Sequence, residues 1–381
     1  MSRLFEGTSI RQMKLANRFV RSATYEGMAA GDGICTPALR EKMVELAAGG
    51  VGLIITSHSF VSPEGRARPL QLGIHSDAMI PALRTMTDAV HARGGRIVIQ
   101  LAHAGAQADP KMTGLAALGP SPLEKADGTV SRQMVPADFS QIKEAFGEAA
   151  RRAKEAGFDG VQIHAAHGYL LSQFLSPHFN RRTDAYGGSL ENRTRFLLEV
   201  ATGIRARVGE DFALLVKINS DDFIEDGFRV DEMVRVSKML EAADVDAVEI
   251  SGGTGSSGDK IPSRIGVPKI EEEEVYYREA ALDFKRVVKI PLILVGGIRS
   301  LRVAERLVSE GVTDYVALSR PLIREPNLVR RWRSTDPSMA TCISCNRCCR
   351  PILRGDGISC EADHPPKEGS GGNVPPDAQQ D

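Results

Sequence analysis

Two histidines and a tyrosine crowd the end of one short apolar run, Phe158-Asp159-Gly160-Val161-Gln162-Ile163-His164-Ala165-Ala166-His167-Gly168-Tyr169-Leu170-Leu171. Imidazoles and a phenol bind oxygen and move protons near neutral pH. One buried histidine is usually a satisfied core side chain. Three such rings together are costly, because each polar atom left without a partner loses about 1–3 kcal/mol. His164, His167 and Tyr169 are therefore read as a catalytic group.

Lys217 stands inside another apolar run, Leu214-Leu215-Val216-Lys217-Ile218. A cation there must find an anion or lose its charge. Its partner is either a carboxylate on a neighbouring strand or a bound ligand that is, or becomes, anionic. Gln100, within Ile97-Val98-Ile99-Gln100-Leu101, offers both a donor and an acceptor, which suits the edge of a heterocycle. Ser22-Ala23-Thr24 and His58 follow the first two apolar runs. Val295-Gly296-Gly297-Ile298 presents backbone amides free of side chains, and Ala317-Leu318-Ser319-Arg320 adds a hydroxyl and a guanidinium. Together these read as a phosphate cradle; the competing reading is a tight turn with a surface arginine.

Something must bring these groups together. Eight apolar runs alternate with amphipathic segments: Arg18–Ala23, Val51–Ser57, Arg96–His103, Phe158–Ala166, Phe212–Ser220, Val245–Ser251, Pro291–Ile298 and Asp314–Arg320. Most are continuous, as parallel strands covered on both faces should be. Helical periodicity marks Asp77–Arg93, Asp138–Ala156, Leu190–Val208, Val230–Ala243, Glu271–Val288 and Ser300–Glu310. Asp138 is expected as an N-cap with Gln141 closing a capping box, and Gly157 as the C-terminal stop. The pattern predicts an α/β fold, a (β/α)8 TIM barrel with a C-terminal cysteine-rich extension. An open doubly wound sheet would place a glycine fingerprint after the first strand, and none follows Arg18–Ala23. In a barrel, ligand groups gather at the C-terminal strand ends, where all of those named above fall. Lys111–Pro136 and Ser251–Pro268 are expected as long loops that wall the site.

The 381 residues are 42% hydrophobic with a formal net charge of -1, which gives no basic surface for nucleic acid. The N-terminus lacks the apolar core of a signal peptide, and no run is long enough to span a bilayer. A cytoplasmic protein that binds neither nucleic acid nor membrane is expected. Cys35 stands alone, whereas Cys342, Cys345, Cys348, Cys349 and Cys360 cluster near the C-terminus. Such clustering points to a metal or to reactive thiols in a reducing compartment, not to a disulfide scaffold. The expected divisions are a barrel over 1–335, a cysteine-rich loop over 336–364 and a disordered tail over 365–381.

These residues resemble the Old Yellow Enzyme family of FMN-dependent NAD(P)H oxidoreductases. The resemblance runs from Asn17-Arg18-Phe19-Val20 to Arg320. Its most specific pieces are His164-Ala165-Ala166-His167-Gly168-Tyr169-Leu170, Phe174-Leu175-Ser176-Pro177 and Asn180-Arg181-Arg182-Thr183-Asp184-Ala185-Tyr186-Gly187-Gly188-Ser189. Gln100-Leu101-Ala102-His103-Ala104-Gly105 also fits. The resemblance implies one FMN across the strand ends, with NAD(P)H as co-substrate. It implies Ala23 and Thr24 at the flavin carbonyl side, Gln100 at the pyrimidine edge and Lys217 where negative charge collects. Gly297, Ser319 and Arg320 would hold the phosphate. His164 and His167 would bind a substrate carbonyl, and Tyr169 would give a proton. The small-molecule substrate would be of enone or enoate type, and the protein a homo-oligomer. Two departures are visible. Tyr25 replaces a cysteine that some bacterial relatives place near the flavin, and His58 stands where many members have a small residue.

The cysteine run Thr341-Cys342-Ile343-Ser344-Cys345-Asn346-Arg347-Cys348-Cys349, with Cys360 beyond, resembles the [4Fe–4S] loop of trimethylamine dehydrogenase and 2,4-dienoyl-CoA reductase. The implied ligands are Cys342, Cys345, Cys360 and either Cys348 or Cys349. Zinc, or free thiols left by a lost cluster, remain open at this point. So do three other functions: flavin-dependent oxidative demethylation or dehydrogenation, a flavin electron-transfer subunit built on the cysteines, and a phosphate-using barrel without flavin.

Overall fold

The computed structural model describes residues 2–363 apart from Lys269 and Thr335, and the backbone only of Glu271 and Glu272. The expected disordered tail, 365–381, lies outside the described residues.

Eight strands close a barrel in chain order: β1 Phe19–Arg21, β2 Leu53–Phe60, β3 Ile97–Ala102, β4 Gly160–Ala165, β5 Ala213–Asn219, β6 Ala247–Ser251, β7 Leu292–Leu294 and β8 Tyr315–Leu318. Every neighbouring pair is parallel, and β8 pairs with β1, Val316 opposite Phe19, to close the ring. The strands are buried throughout, which is why their sequences run apolar without alternation. Val20, Leu53, Ile55, Val98, Leu215 and Tyr315 fill the barrel interior. A second core lies between the strands and the surrounding helices. An antiparallel hairpin, Thr8–Ile10 with Met13–Leu15, joins the interior core through Ile10, Met13 and Leu15.

The principal helices are α1 Pro37–Ala48, α2 Ile80–His91, α3 Pro136–Glu155, α4 Leu190–Val208, α5 Val230–Ala242, α6 Arg278–Val287, α7 Leu301–Ser309 and α8 Leu328–Ser334. Two expectations need correction. Helix α3 begins before Asp138, because Pro136 takes the first helical position, which its fixed φ favours. Asp138 therefore sits at the third position, where its Oδ2 accepts the Val135 N–H at 2.7 Å. The segment Glu271–Val288 is not one helix. A 3-10 turn at Glu271–Glu274 ends, Val275 turns extended, and α6 starts at Arg278. The break is anchored by the Tyr276 N–H on the Gly296 carbonyl at 3.2 Å, and it delivers Tyr276 and Tyr277 to the barrel mouth. Helix α1, which the periodicity did not pick out, is capped by Thr36 Oγ1 accepting from the Leu39 N–H at 3.2 Å.

Candidate active site

A cavity of about 460 Å³ opens at the C-terminal ends of the strands. That is within the range of about 300–1,000 Å³ usual for small-molecule sites. Of the residues singled out in the sequence, Ala23, Thr24, Lys217, Gly297, Ser319, Arg320 and His167 line it. Gly296 and Gly297 have φ of +120° and +83°, a region that favours glycine. A Cβ on Gly297 would run into the Glu274 carbonyl oxygen. Ser319 Oγ and Thr24 Oγ1 lie 2.8 Å apart. Arg320 Nη1 donates to the Arg264 carbonyl and to Asn346 Oδ1, each at 2.7 Å. The Arg264 guanidinium stacks over Tyr276 at 4.5 Å and Tyr277 at 5.3 Å from the ring centroids, so the loop after β6 closes this wall.

Beside the cavity, five rings follow one another. Tyr25 lines it, with its ring centroid 5.5 Å from that of His58. His58 lies 5.4 Å from Tyr169, Tyr169 5.0 Å from His164, and His164 5.2 Å from His167. Tyr169 Oη is 3.3 Å from His58 Nε2. His167 Nε2 is 2.8 Å from Ser251 Oγ. His164 Nδ1 is buried without a hydrogen-bond partner among the described residues. The expected catalytic group is thus assembled, and His58 belongs to it instead of to the cavity wall. A register shift between Ile55 and His58 sets His58 opposite Gln100.

The backbone turns sharply to make this arrangement. His167 has φ +62°, rare for a residue with a side chain, and Gly168 follows at +78°. Asn219, the last residue of β5, holds the turn by accepting the His167 N–H at 3.1 Å. Burial pushes His58 down to about 3, aided by the charges of Arg68 and Lys217. His164 and His167 are likewise held well below the usual histidine range, first by burial. All three rings are neutral at neutral pH, each with one N–H to donate.

Under the cavity lies a polar layer. Lys217 Nζ donates to Ser22 Oγ at 2.9 Å and lies 3.2 Å from Glu249 Oε1. The neighbouring-strand carboxylate expected as one partner of Lys217 therefore exists, while the lysine still lines the cavity. Gln100 is not in the lining; its Nε2 donates to Gln162 Oε1 at 2.7 Å. Glu249, Gln162 and Ser251 were missed in the sequence. Glu249, in Ala247-Val248-Glu249-Ile250, carried the same signal as Lys217, a lone charge in an apolar strand.

The cysteine segment packs onto the mouth. Arg299 donates to the Cys342 carbonyl and to Ser344 Oγ, and Asn346 Nδ2 donates to the Ser263 carbonyl at 2.7 Å. Cys348 and Cys349 line the cavity. A hydrogen bond with Cys349, and then burial, push the Cys348 thiol up. Among the described residues, no three Cys, His, Asp or Glu side chains are gathered to hold a metal ion. The expected ligand set of Cys342, Cys345, Cys348, Cys349 and Cys360 is therefore not assembled for a cluster or for zinc in this arrangement. No helix among the described residues is long and apolar enough to cross a membrane.

Residues 3–338 match the model of the NADH:flavin oxidoreductase / NADH oxidase family. The chain belongs to that family. It is 37% identical over 351 residues to an NADH oxidase of Thermoanaerobacter brockii, covering 91% of this chain and 53% of that protein. It is 31% identical over 380 residues to a 4,4'-dithiodibutanoate disulfide reductase of Rhodococcus erythropolis, covering 92% of this chain and 93% of that protein. Among solved structures, a 2-naphthoyl-CoA reductase in complex with 2-naphthoyl-CoA superposes with a TM-score of 0.86 at 29% identity. That match covers 93% of this chain and 56% of that one. The chain spans about half the length of the first of these relatives. The cavity suits FMN, the flavin named by the resemblance: a glycine pair for a phosphate, a cation for an electron-rich ring edge, and a size to match.

Proposed function

We infer that this protein is an FMN-dependent NAD(P)H oxidoreductase that reduces the activated C=C of an α,β-unsaturated carbonyl-type substrate. The observation that carries the reading is the buried, unpartnered His164 Nδ1 between Tyr169 and His167, at the edge of the cradle just described. A buried polar atom left open costs about 1–3 kcal/mol, which a substrate oxygen would recover. The similarity to a 2-naphthoyl-CoA reductase fits this reading, since 2-naphthoyl-CoA is a thioester whose carbonyl is conjugated to an unsaturated ring.

Bound in the cavity, FMN would supply hydride transfer from nicotinamide to substrate. Gly297, Ser319 and Arg320 would hold its phosphate; Ala23 and Thr24 would meet the polar edge of its ring, while Gln100, expected there, is turned to Gln162 instead. Lys217 would place a positive charge where the reduced ring is electron-rich. His164 and His167, both neutral, donate N–H groups to the substrate carbonyl oxygen and draw density from its double bond. Tyr169 gives its phenolic proton to the α-carbon. His58 Nε2, at 3.3 Å, offers a route by which Tyr169 regains that proton.

An absorption spectrum of the purified protein, followed by turnover of cyclohexenone with NADH and NADPH, tests the reading. A flavin band and enone-dependent nicotinamide oxidation are expected. A colourless protein that refuses added FMN overturns it. Brisk amine oxidation without enone turnover replaces it with the oxidative alternative.

A further inference from the structure

A buried carboxylate, Glu249, stands beside the lysine of the cavity floor. Glu249 is 0% exposed and lies opposite Lys217 in the β5–β6 register. Its Oε1 is 3.2 Å from Lys217 Nζ and accepts from Ser22 Oγ at 2.5 Å. Its Oε2 accepts from Gln162 Nε2 at 2.8 Å, and Gln162 in turn accepts from Gln100. These contacts join β3, β4, β5 and β6 to Ser22, just past β1, in one hydrogen-bonded layer. Lys217 and Ser22 line the cavity, while Glu249 is not part of its wall. The carboxylate therefore stands behind the ammonium, as a fixed counter-charge that bound ligand cannot displace.

We propose that Glu249 is a positioning residue that tunes the flavin site through Lys217. It pins the ammonium at the cavity floor and offsets part of its charge. It thereby limits how strongly the site favours negative charge on a bound ring. This rests on the assignment of FMN to the cavity. In a buried layer the attraction between opposite charges is weakly screened, and a second anion nearby opposes charging of the ligand. Ser22 and Gln162 occupy both carboxylate oxygens, so the counter-charge is held in place rather than shared with solvent. A purely structural ion pair would govern stability alone; a tuning pair also governs the ligand's affinity for electrons.

The test compares wild type with Glu249→Gln, both carrying FMN. Two quantities are read: the two-electron midpoint potential of the flavin, and the dissociation constant for sulfite, which adds to oxidised flavin and leaves the ring negatively charged. Glu249→Gln is expected to bind sulfite about tenfold tighter and to raise the potential by about 30 mV, the same factor for a two-electron couple. Glu249→Asp keeps the charge but withdraws it by one methylene, and is expected to shift both readings the same way by less. It also stands in should the Gln variant fail to fold. An unchanged or lowered potential in a variant that retains FMN overturns the proposal, as does failure of both variants to fold, which would make the pair purely structural. A wild-type protein that takes up no FMN overturns the assignment of the cavity instead, so the two failures are distinct.

Discussion

Removing Lys217 exposes the energetics of the buried layer most directly. The Lys217 and Glu249 side chains are 4% and 0% exposed, so neither charge is hydrated in the folded protein. Lys217→Met deletes the ammonium and leaves the carboxylate with two neutral donors, Ser22 and Gln162. Breaking a buried pair from one side costs about 3–5 kcal/mol, because the remaining charge is uncompensated. For a chain longer than 250 residues, each kcal/mol moves the melting temperature by about 2 °C, so a fall of roughly 6–10 °C is expected. Some of that fall could come from weaker ligand binding, which also lowers apparent stability. The double variant Lys217→Met with Glu249→Gln separates the two effects. It lacks the same lysine, so any ligand loss is shared, but it has no orphaned charge. Replacing both partners of a buried pair is near neutral. The double variant should therefore regain most of the loss. The assay is chemical denaturation of all four proteins of the cycle, with the coupling read from the midpoints. A Lys217→Met protein as stable as wild type, or a double variant no better than the single, would refute the claim that these groups form a mutually dependent buried pair.

Three further outcomes follow from the site. Tyr169→Phe removes the proposed proton donor and should lower enone turnover by about 10²–10⁴-fold with FMN content unchanged, read by steady-state kinetics beside a flavin spectrum. His58 is held neutral to about 3 in the folded chain, below the ordinary value of 6.5. Between those values the unfolded chain binds the extra proton, so stability falls as pH drops through this window, by up to about 1.4 kcal/mol per pH unit for this one residue. His58→Asn should flatten that decline in melting temperature, and an unaltered slope would contradict the burial argument. Gly297→Ala puts a Cβ against the Glu274 carbonyl at φ +83° and should cost roughly 1–3 kcal/mol, with loss of bound flavin on gel filtration.

The barrel was legible because its strands are buried on both faces. Seven of the eight apolar runs contain a barrel strand, Val51–Ser57 stops short of a strand that continues to Phe60, and Leu190–Val208 is a helix to the residue. The misreadings have local causes. Helix α1 starts at a Thr-Pro pair without strong periodicity, so its capping chemistry was the better signal. The Glu271–Val288 periodicity is genuine in α6 but extends falsely over residues 275–277, where tertiary contacts to Gly296 override propensity. The cavity wall was legible as types of residue at strand ends. What lies behind that wall was not. That Gln100 turns to Gln162 and His58 to Tyr169 depends on side-chain reach and on one strand irregularity, neither of which leaves a mark in spacing.

The same contrast explains how the site manages charge. Three histidines, a lysine and four arginines, Arg68, Arg299, Arg320 and Arg354, around one cavity would be prohibitive if all were charged and dry. The fold avoids this in two ways. Burial and the nearby Lys217 charge keep His164 and His167 neutral, as burial and Arg68 do for His58, so the rings add donors without adding charge. Lys217 is matched by Glu249 one strand away. Arg320 is at the rim, where two oxygen acceptors, the Arg264 carbonyl and Asn346 Oδ1, hold it without neutralising it. Among the described residues this guanidinium meets no carboxylate, and it lines the cavity with the glycine pair. An anionic phosphate completes that balance, whereas a neutral ligand would leave it open. This distribution, with Lys217 paired at the floor and Arg320 held only by neutral acceptors, would orient a ligand with one charged end and one end that gains charge only when reduced.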